Sequence, residues 1–317
     1  MKFLPGRHAD ETLIKPESFD AAIRIEGISP TMMAGLFHGL RQARSHWVPG
    51  LALTAELCGA TDAETAIPFD KDLPDGLVRL NSGAPGIVLV EAHHAMPDTL
   101  LPQSLYLLLA QQWARAGLML VHAAAFEFND TGVLALGEKG TGKSVLTGSA
   151  MAAGARVVSD DWVMTGRGSP GRFTTERMRE FVMLRHGEAC ERILASLPDV
   201  RTRKVENRPK SLIPMPDPAT PSAHRFAKQC ELDRLWILQR PTAGRNPFSQ
   251  ARPGLAGEAL AALIRATMPV LFSRFFPVES EQLVRTAREL VQTCPILRVE
   301  PGLDLVESPG KVLRDLI

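Results

Sequence analysis

The sequence predicts an α/β fold, and three observations lead to this prediction. Apolar strand patterns alternate with helical patterns from residue 102 to residue 301. Between Leu118 and Met164 the order is two strands, a glycine-rich loop, a helix and a third strand. The 317 residues, of which 45% are hydrophobic and 22% charged, suit a globular protein with a large core and exclude a disordered, collagen-like or coiled-coil chain.

The first 95 residues are predicted to form an additional N-terminal α+β region, whose role the sequence leaves open. They contain many glycine, proline and alanine interruptions, and only Thr31–Trp47 has the spacing of a helix. Residues 96–317 are predicted to form the second domain, which contains the motifs that carry chemistry.

A helix and a β-hairpin are predicted at the start of the second domain. The run Pro102–Arg115 repeats apolar residues at helical spacing, and Gly117 follows as a stop signal. Two apolar runs, Leu118–Phe128 and Val133–Gly137, are separated by turn residues 129–132. This arrangement indicates two antiparallel strands.

The next elements are a helix over Gly142–Ala153, ended by Gly154, and one strand over Ala155–Met164. The run Arg201–Lys210 is basic, and five prolines lie between Pro209 and Pro221. Because proline disrupts helices and central strands, we expect a long exposed connection there. The last predicted elements are a strand over 230–240, helices over 254–267 and 279–292, and a strand over 296–301.

The loop between the hairpin and the helix matches the phosphate-binding pattern G-x-x-x-x-G-K-[ST] in full. Its glycines let backbone N–H groups turn toward phosphate oxygens, and the positive end of the following helix adds to the attraction. Lys143 is predicted to reach the β- and γ-phosphates of a nucleotide, and the Ser144 hydroxyl to ligate Mg²⁺. The predicted cofactor-binding residues are Gly137, Glu138, Lys139, Gly140, Thr141, Gly142, Lys143, Ser144 and Val145.

An acidic pair, Asp160 and Asp161, lies 16 and 17 residues after Ser144. A right-handed crossover would place their strand beside the loop strand, with both aspartates at the edge where the phosphates bind. Adjacent residues of a strand point to opposite faces, so one carboxylate could hold metal while the other accepts the proton of an attacking hydroxyl. The alternative is a solvated strand end without function.

His122 lies in the apolar run VHAAAF, directly before the loop strand. A histidine in such a run is more often a hydrogen-bonded core residue than a catalytic one. If its strand neighbours the loop strand, however, His122 would face the γ-phosphate or alter the pKa of an aspartate.

Together, LVHAAAFE around His122, the loop GEKGTGKS and the run ARVVSDD resemble the catalytic domain of the HPr kinase/phosphorylase family. The resemblance covers about residues 100–164 well and the later residues weakly. It implies a phosphoenolpyruvate-carboxykinase-like α/β fold around the phosphate loop. It also implies transfer of phosphate from ATP to a serine of a protein.

The resemblance assigns roles to residues of this chain by position. Asp160 would be the general base, with Asp161 and His122 assisting. Lys143 and the loop amides would hold the phosphates of ATP, and Ser144 and Asp161 would hold Mg²⁺.

The sequence departs from that family after the acidic pair, where WVMTGRGSPGRFTTERMREF replaces a glycine-rich signature that contains a metal-ligating glutamate. Glu176 and Glu180 are both candidates to replace this glutamate. The departure favours the divergent kinases of peptide natural-product pathways, including those that phosphorylate the C-terminal serine of lasso-peptide precursors. In such a kinase, the basic run Arg201–Lys210 would close over ATP or hold a peptide through Lys204, Arg208 and Lys210. A solvated charged loop is the simpler interpretation of this run.

Three functions are compatible with these motifs. The first is an ATP-dependent kinase that acts on a serine of a protein or peptide. The second is a kinase for a small molecule, but such enzymes usually begin with the loop strand, whereas 136 residues precede Gly137 here. The third is a nucleotide-binding ATPase or regulatory protein without an acceptor, a class whose acidic strand commonly lies further downstream.

Charge and cysteine content restrict the partners and the location. The net charge of +1 provides no field that would attract nucleic acid or an anionic membrane. The most apolar stretch, 105–126, is interrupted by polar residues, which argues against a membrane span. Four widely spaced cysteines without a C-x-x-C argue against a zinc site and favour the cytoplasm. The expected partner bears a serine, and the resemblance is compatible with a homo-oligomer.

Overall fold

The computed structural model describes residues 2–5, 11–15, 17–19, 22–26, 52–58, 70–72, 78–84, 87–92, 109–168, 171–179, 181–204, 210–215, 219–240, 246–267 and 277–317. It is a mixed α/β structure with several sheets. The chain divides into two compact units, Met1–Met119 with Val270–Leu283 and Leu120–Pro269 with Val284–Ile317. The predicted domain boundary after residue 95 stays a prediction.

The first unit contains an antiparallel sheet. Its described strands are β1 (Lys2–Pro5), β2 (Glu11–Lys15), β3 (Ala22–Glu26), β4 (Ala52–Cys58), β5 (Asp70–Asp72), β6 (Val78–Ala84) and β7 (Ile87–Ala92). Their order across the sheet is β1-β2-β3-β4-β7-β6-β5, and every described pair is antiparallel. The helix predicted over Thr31–Trp47 lies outside the described residues.

Helix α1, residues 109–115, confirms the described part of the predicted helix, and Gly117 follows with a φ of +72°. The side chains of Gln111 and Arg115 both donate to Oε1 of Glu279, at 3.0 and 2.9 Å. These bonds tie α1 to the first turn of a later helix within the same unit.

The second unit contains three sheets. Its strands are β8 (Met119–His122), β9 (Ala124–Phe128), β10 (Thr131–Leu136), β11 (Arg156–Ser159), β12 (Trp162–Arg167), β13 (Phe173–Arg177), β14 (Phe181–Arg185), β15 (Arg203–Lys204), β16 (Lys210–Pro214), β17 (Gln229–Glu231), β18 (Arg234–Leu238), β19 (Gln250–Pro253) and β20 (Ile296–Glu300). In the described part, the largest of these sheets has the order β11-β9-β10-β18-β20-β19, and the second has the order β17-β13-β12-β8. The third has the order β14-β16-β15.

The predicted hairpin is confirmed as β9 and β10, which pair antiparallel. Asn129 and Asp130 form its turn with φ angles of 49° and 58°. Both residues thus adopt the left-handed conformation that a two-residue hairpin turn requires, and asparagine and aspartate tolerate it better than most side chains.

Three predicted single strands are each two strands in the structure. The run Leu118–Phe128 divides at Ala123 into β8 and β9, and Ala155–Met164 divides at the acidic pair into β11 and β12. The predicted strand over 230–240 likewise divides into β17 and β18. In each case the chain passes from one sheet to another. In the first two cases both halves are largely buried, so the apolar pattern continues across the break and does not reveal it. In the third case, β17 is buried only at its central residue, Cys230, and its two ends are exposed.

The prediction that β11 lies beside the loop strand β10 is also wrong. Strand β9 lies between them, because the hairpin partner occupies the position next to β10. Since β9 is antiparallel to both, β11 and β10 run in the same direction. Their carboxyl ends therefore still meet at the same edge of the sheet.

The predicted long exposed connection contains regular structure in the smallest sheet. Strand β16 is central in this sheet, between β14 and β15. Its side chains alternate in burial, with Ser211 and Ile213 buried. Pro214 is its last residue, where the missing N–H removes no hydrogen bond from the middle of the sheet. A 3₁₀ helix over Pro221–Arg225 follows.

The described helices after α1 are α2 (Lys143–Ala152), α3 (Glu188–Ala195), α4 (Ala256–Thr267), α5 (Pro277–Thr293), α6 (Asp304–Glu307) and α7 (Pro309–Leu316). The predictions of α2, α4, α5 and β20 are confirmed to within about two residues. No helix in the described residues has the length and hydropathy needed to cross a membrane.

The core of the second unit fixes β10 from both sides. Phe126 on β9 and Trp236 on β18 are fully buried and meet edge to face at 5.7 Å between ring centroids. A Cβ placed on Gly148 of α2 would lie 3.0 Å from Ile193 and 3.1 Å from Leu184. Helix α2 thus packs closely against α3 and β14, and the loop that precedes α2 has a rigid base.

Candidate active site

The loop 137–142 joins β10 to α2 with two glycines in the left-handed region. Gly140 has a φ of +90° and Gly142 a φ of +96°. Gly142 is the N-terminal cap of α2, and no side chain caps this helix end. The first backbone N–H groups of α2 are therefore not taken by a capping side chain, as an anion-binding helix terminus requires.

Close packing, and not the backbone angles, explains why residue 137 is a glycine. A Cβ at this position would lie 2.4 Å from Oγ1 of Thr141 and 3.0 Å from Cβ of Leu238. The Thr141 hydroxyl also donates to the carbonyl oxygen of Glu138 at 2.9 Å. These contacts hold the loop in a narrow turn.

Lys143 folds back over the loop. Its Nζ donates to the carbonyl oxygens of Gly137 and Glu138 at 2.5 and 3.3 Å. Burial lowers the pKa of this amine, while the charges of Asp161 and Asp160 act in the opposite direction. The amine thus lies between the loop and the acidic pair.

Asp160 is buried beside the first turn of α2. Its Oδ2 accepts a hydrogen bond from Oγ of Ser144 at 3.5 Å, and its Oδ1 has no hydrogen-bond partner among the described residues. Burial, followed by the charge of Asp161, raises the pKa of Asp160 to about 7, although Arg179 acts in the opposite direction. A carboxyl group with this pKa can exchange a proton near neutral pH.

Asp161 has two charged or polar partners. His122 Nε2 lies 2.9 Å from its Oδ1, and the guanidinium of Arg179 contacts its Oδ2. Burial acts to raise the pKa of Asp161, but the hydrogen bond from His122 and the charge of Arg179 outweigh it and hold this pKa below its ordinary value. The His122 ring also packs against Trp162, with centroids 5.2 Å apart.

The environments of the two aspartates separate their chemistry. Asp161 stays ionised, and its fixed negative charge helps to raise the pKa of Asp160. Such a divergence of two neighbouring carboxyl groups is typical of sites where one of them handles a proton.

The structure brings five predicted residues together through the contacts of the acidic pair: His122, Lys143, Ser144, Asp160 and Asp161. His122 reaches this cluster although its strand β8 does not neighbour β10. The roles predicted for these residues stay predictions.

Three further residues predicted for the site, outside the phosphate loop, lie in the described strands β13, β15 and β16. Glu176 is buried in β13 opposite Met164, and Lys204 is exposed in β15. Lys210 begins β16, and its charge contributes to the low pKa of Asp161. Glu180 and Arg208 lie outside the described residues.

Arg179 is the residue that sequence reasoning missed. It lies in sequence between the two glutamates considered as metal ligands. No pattern in the sequence distinguishes Arg179 from Arg177, which instead contacts Met215 and the carbonyl oxygen of Ala227.

The oxygen atoms at this site fit Mg²⁺ accompanied by phosphate. The described residues contain no cluster of three or more His, Cys, Asp or Glu side chains that would hold a metal ion by itself. They do provide the Ser144 hydroxyl and the unpartnered Oδ1 of Asp160. Mg²⁺ usually takes few protein ligands and completes its shell with water and substrate phosphates.

Comparison with known proteins gives a distant structural likeness. Neither a protein-family model nor a curated protein sequence matches the chain. A solved structure of the Hpr(Ser) kinase/phosphatase from Coxiella burnetii is similar over 62% of this chain and 89% of that chain, with 13% identity and a TM-score of 0.31. The phosphoenolpyruvate-carboxykinase-like core stays a prediction.

Proposed function

We propose that this protein is an ATP- and Mg²⁺-dependent kinase that transfers the γ-phosphoryl group to a serine hydroxyl of a protein or peptide. The contact between Ser144 and Asp160 is the observation that carries the proposal. It joins a complete phosphate loop to a buried carboxyl group whose pKa of about 7 suits proton transfer.

The phosphate loop provides the binding part of the mechanism. Backbone N–H groups of the loop and of the first turn of α2 bind phosphate oxygens, and Lys143 neutralises their charge. Ser144 would hold Mg²⁺, which would supply further neutralisation of the negative charge on the phosphates. Positioning and charge neutralisation supply most of the catalysis of such a reaction.

The acidic pair provides the proton acceptor. Asp160 accepts the proton of the serine hydroxyl while the serine oxygen forms a bond to the γ-phosphorus of ATP. The bond between the γ-phosphorus and the bridging β-phosphate oxygen breaks, and ADP leaves. Asp161, held by His122 and Arg179, keeps Asp160 basic through its negative charge. With both of its oxygens engaged, Asp161 is a weaker candidate for the metal than the sequence suggests.

The choice of a serine in a protein or peptide rests on the resemblance of the three sequence motifs. Lys210, at the start of β16, is near enough to Asp161 for its charge to help lower the pKa of that carboxyl group, so one end of the basic run lies near the acidic pair. A lasso-peptide precursor is one substrate of this class.

The test is transfer of label from γ-labelled ATP, with Mg²⁺, into a fractionated extract. Wild-type protein should label a peptide or protein in an acid-stable, alkali-labile form. Asp160→Asn should retain ATP binding but transfer about 10²- to 10⁴-fold more slowly, the range expected for loss of a general base. Asp130→Asn is the matched control, because Asp130 lies in the hairpin turn at a φ that asparagine tolerates equally well.

The product that carries the label decides between the candidate functions. Label found only in small molecules would replace the serine acceptor with a metabolite, and label found only in free phosphate would indicate an ATPase. If Asp160→Asn also loses Mg²⁺-dependent ATP binding, Asp160 is a metal ligand rather than the base.

A further inference from the structure

An exposed apolar surface lies beyond the carboxyl ends of β18 and β20 in the second unit. It is formed by Phe248, which is 69% exposed, and Leu303, which is 38% exposed. We refer to these two residues as the Phe248–Leu303 surface.

Backbone hydrogen bonds hold the two segments of this surface together. The N–H of Leu303 donates to Asn246 at 3.0 Å, and that of Asp304 donates to Pro247 at 3.1 Å. The Asp304 carboxylate accepts bonds from the Ser249 amide and hydroxyl at 2.8 and 2.7 Å. The surface is therefore built into the fold rather than carried by a loose loop.

The phosphate loop is adjacent to the residues that directly follow β20 and β18. A Cβ placed on Gly142 would lie 3.8 Å from Cγ of Pro301, two residues before Leu303. Arg240, just after β18, donates to the carbonyl oxygen of Lys139 in the loop at 2.9 Å. Because β10, β18 and β20 are parallel, their carboxyl ends lie at the same edge of the sheet.

The strand order gives a bound nucleotide its direction. Asp160 follows β11, which lies on one side of β10, whereas β18 and β20 lie on the other side. A nucleotide whose terminal phosphate faces Asp160 and which continues across the loop would extend its nucleoside away from β11. This direction leads over the ends of β18 and β20.

We infer that the Phe248–Leu303 surface receives the base of the bound nucleotide, which stacks on the Phe248 ring. The inference rests on the proposed function, since it requires a nucleotide on the phosphate loop. Every nucleobase has a flat π-face that stacks on an aromatic ring, and an apolar neighbour such as Leu303 favours its desolvation.

The test compares calorimetric binding of ATP and of inorganic tripolyphosphate, both with Mg²⁺, to the full chain. Phe248→Ala should weaken ATP binding about tenfold, the order expected for loss of base stacking, and leave tripolyphosphate binding unchanged. Phe248→Trp should retain ATP binding. Leu255→Ala is the control, because Leu255 is 64% exposed and should change neither affinity.

The outcomes separate this inference from the proposed function. Unchanged ATP binding by Phe248→Ala would overturn the base site, even if Lys143→Met removes binding of both ligands and so supports the phosphate loop. Equal loss of both ligands in Phe248→Ala would also overturn it, since Phe248 would then only support the loop. If wild-type protein binds neither ligand, the proposed function and this inference both fail.

Discussion

Asp160 and Asp161 are neighbours in the chain, but their surroundings give them opposite acid strengths. Asp160 is buried and has Ser144 as its hydroxyl partner, whereas Asp161 contacts His122 and Arg179. Burial therefore dominates the pKa of the first, and hydrogen bonding together with positive charge dominates that of the second. Pairs of carboxyl groups whose pKa values are pushed apart in this way are typical of acid–base sites.

The raised pKa of Asp160 should make the folded protein lose stability as pH rises toward neutral. Between its ordinary value of 3.8 and about 7, the folded state binds a proton that the unfolded state has lost. Stability therefore falls as pH rises through this window, by about 1.4 kcal/mol per pH unit. We expect Asp160→Asn to be more stable than wild type, with a gain about 2–3 kcal/mol larger at pH 8 than at pH 5.

Urea unfolding of both proteins at the two pH values measures this difference. Asp130→Asn, in the hairpin turn, is measured alongside as the control for the replacement of one carboxylate by an amide. A gain of equal size at pH 5 and pH 8 would contradict the raised pKa.

A glycine in the left-handed conformation lies next to each end of helix α2. Gly142 precedes the helix with a φ of +96°, and Gly154 follows it with a φ of +89°. The two glycines satisfy the same backbone requirement, but only Gly142 belongs to the phosphate loop. They therefore form a matched pair for separating stability from binding.

We expect Gly142→Ala and Gly154→Ala to destabilise the protein by similar amounts, about 1–2 kcal/mol each. Only Gly142→Ala should weaken binding of Mg²⁺-ATP, by more than tenfold, because the strain would shift the loop amides away from the phosphates. Urea unfolding and calorimetric titration measure the two effects. Similar losses of affinity in both variants would mean that the loop geometry does not determine binding.

The second unit as a whole places the phosphate loop at the edge where the parallel strands end. The fully buried pair Phe126 and Trp236 joins the strands on either side of β10. Ligand binding at this edge should therefore be coupled to the stability of the whole unit. A ligand that binds only the folded state stabilises it by about 2.7 kcal/mol at a concentration of 100 Kd.

We accordingly expect saturating Mg²⁺-ATP to raise the midpoint of thermal unfolding of the second unit by several degrees, about 2–4 °C per kcal/mol for a unit of roughly 150–250 residues. Lys143→Met should show no such shift, because methionine fills the buried space of the lysine chain without its charge. Differential scanning calorimetry provides the measurement. An equal shift in Lys143→Met would place the nucleotide elsewhere.

Local patterns in the sequence were sufficient to predict the loop–helix unit, the hairpin and helices α4 and α5. These elements depend on residue spacing, on glycine at positions 140, 142 and 154, and on turn residues Asn129 and Asp130. The same patterns also indicated the residues of the acidic cluster, since Lys143, Ser144 and the aspartates follow a recognisable order.

Only the tertiary structure decided which strands share a sheet and which side chains meet. Strand pairing depends on hydrogen bonds between distant segments, and a buried strand keeps its apolar pattern in whichever sheet it joins. For this reason the breaks at Ala123 and at the acidic pair, the position of β9, and strand β16 were not predicted. The contact of Arg179 with Asp161 has the same origin, because long-range packing selects one arginine among several equivalent in sequence.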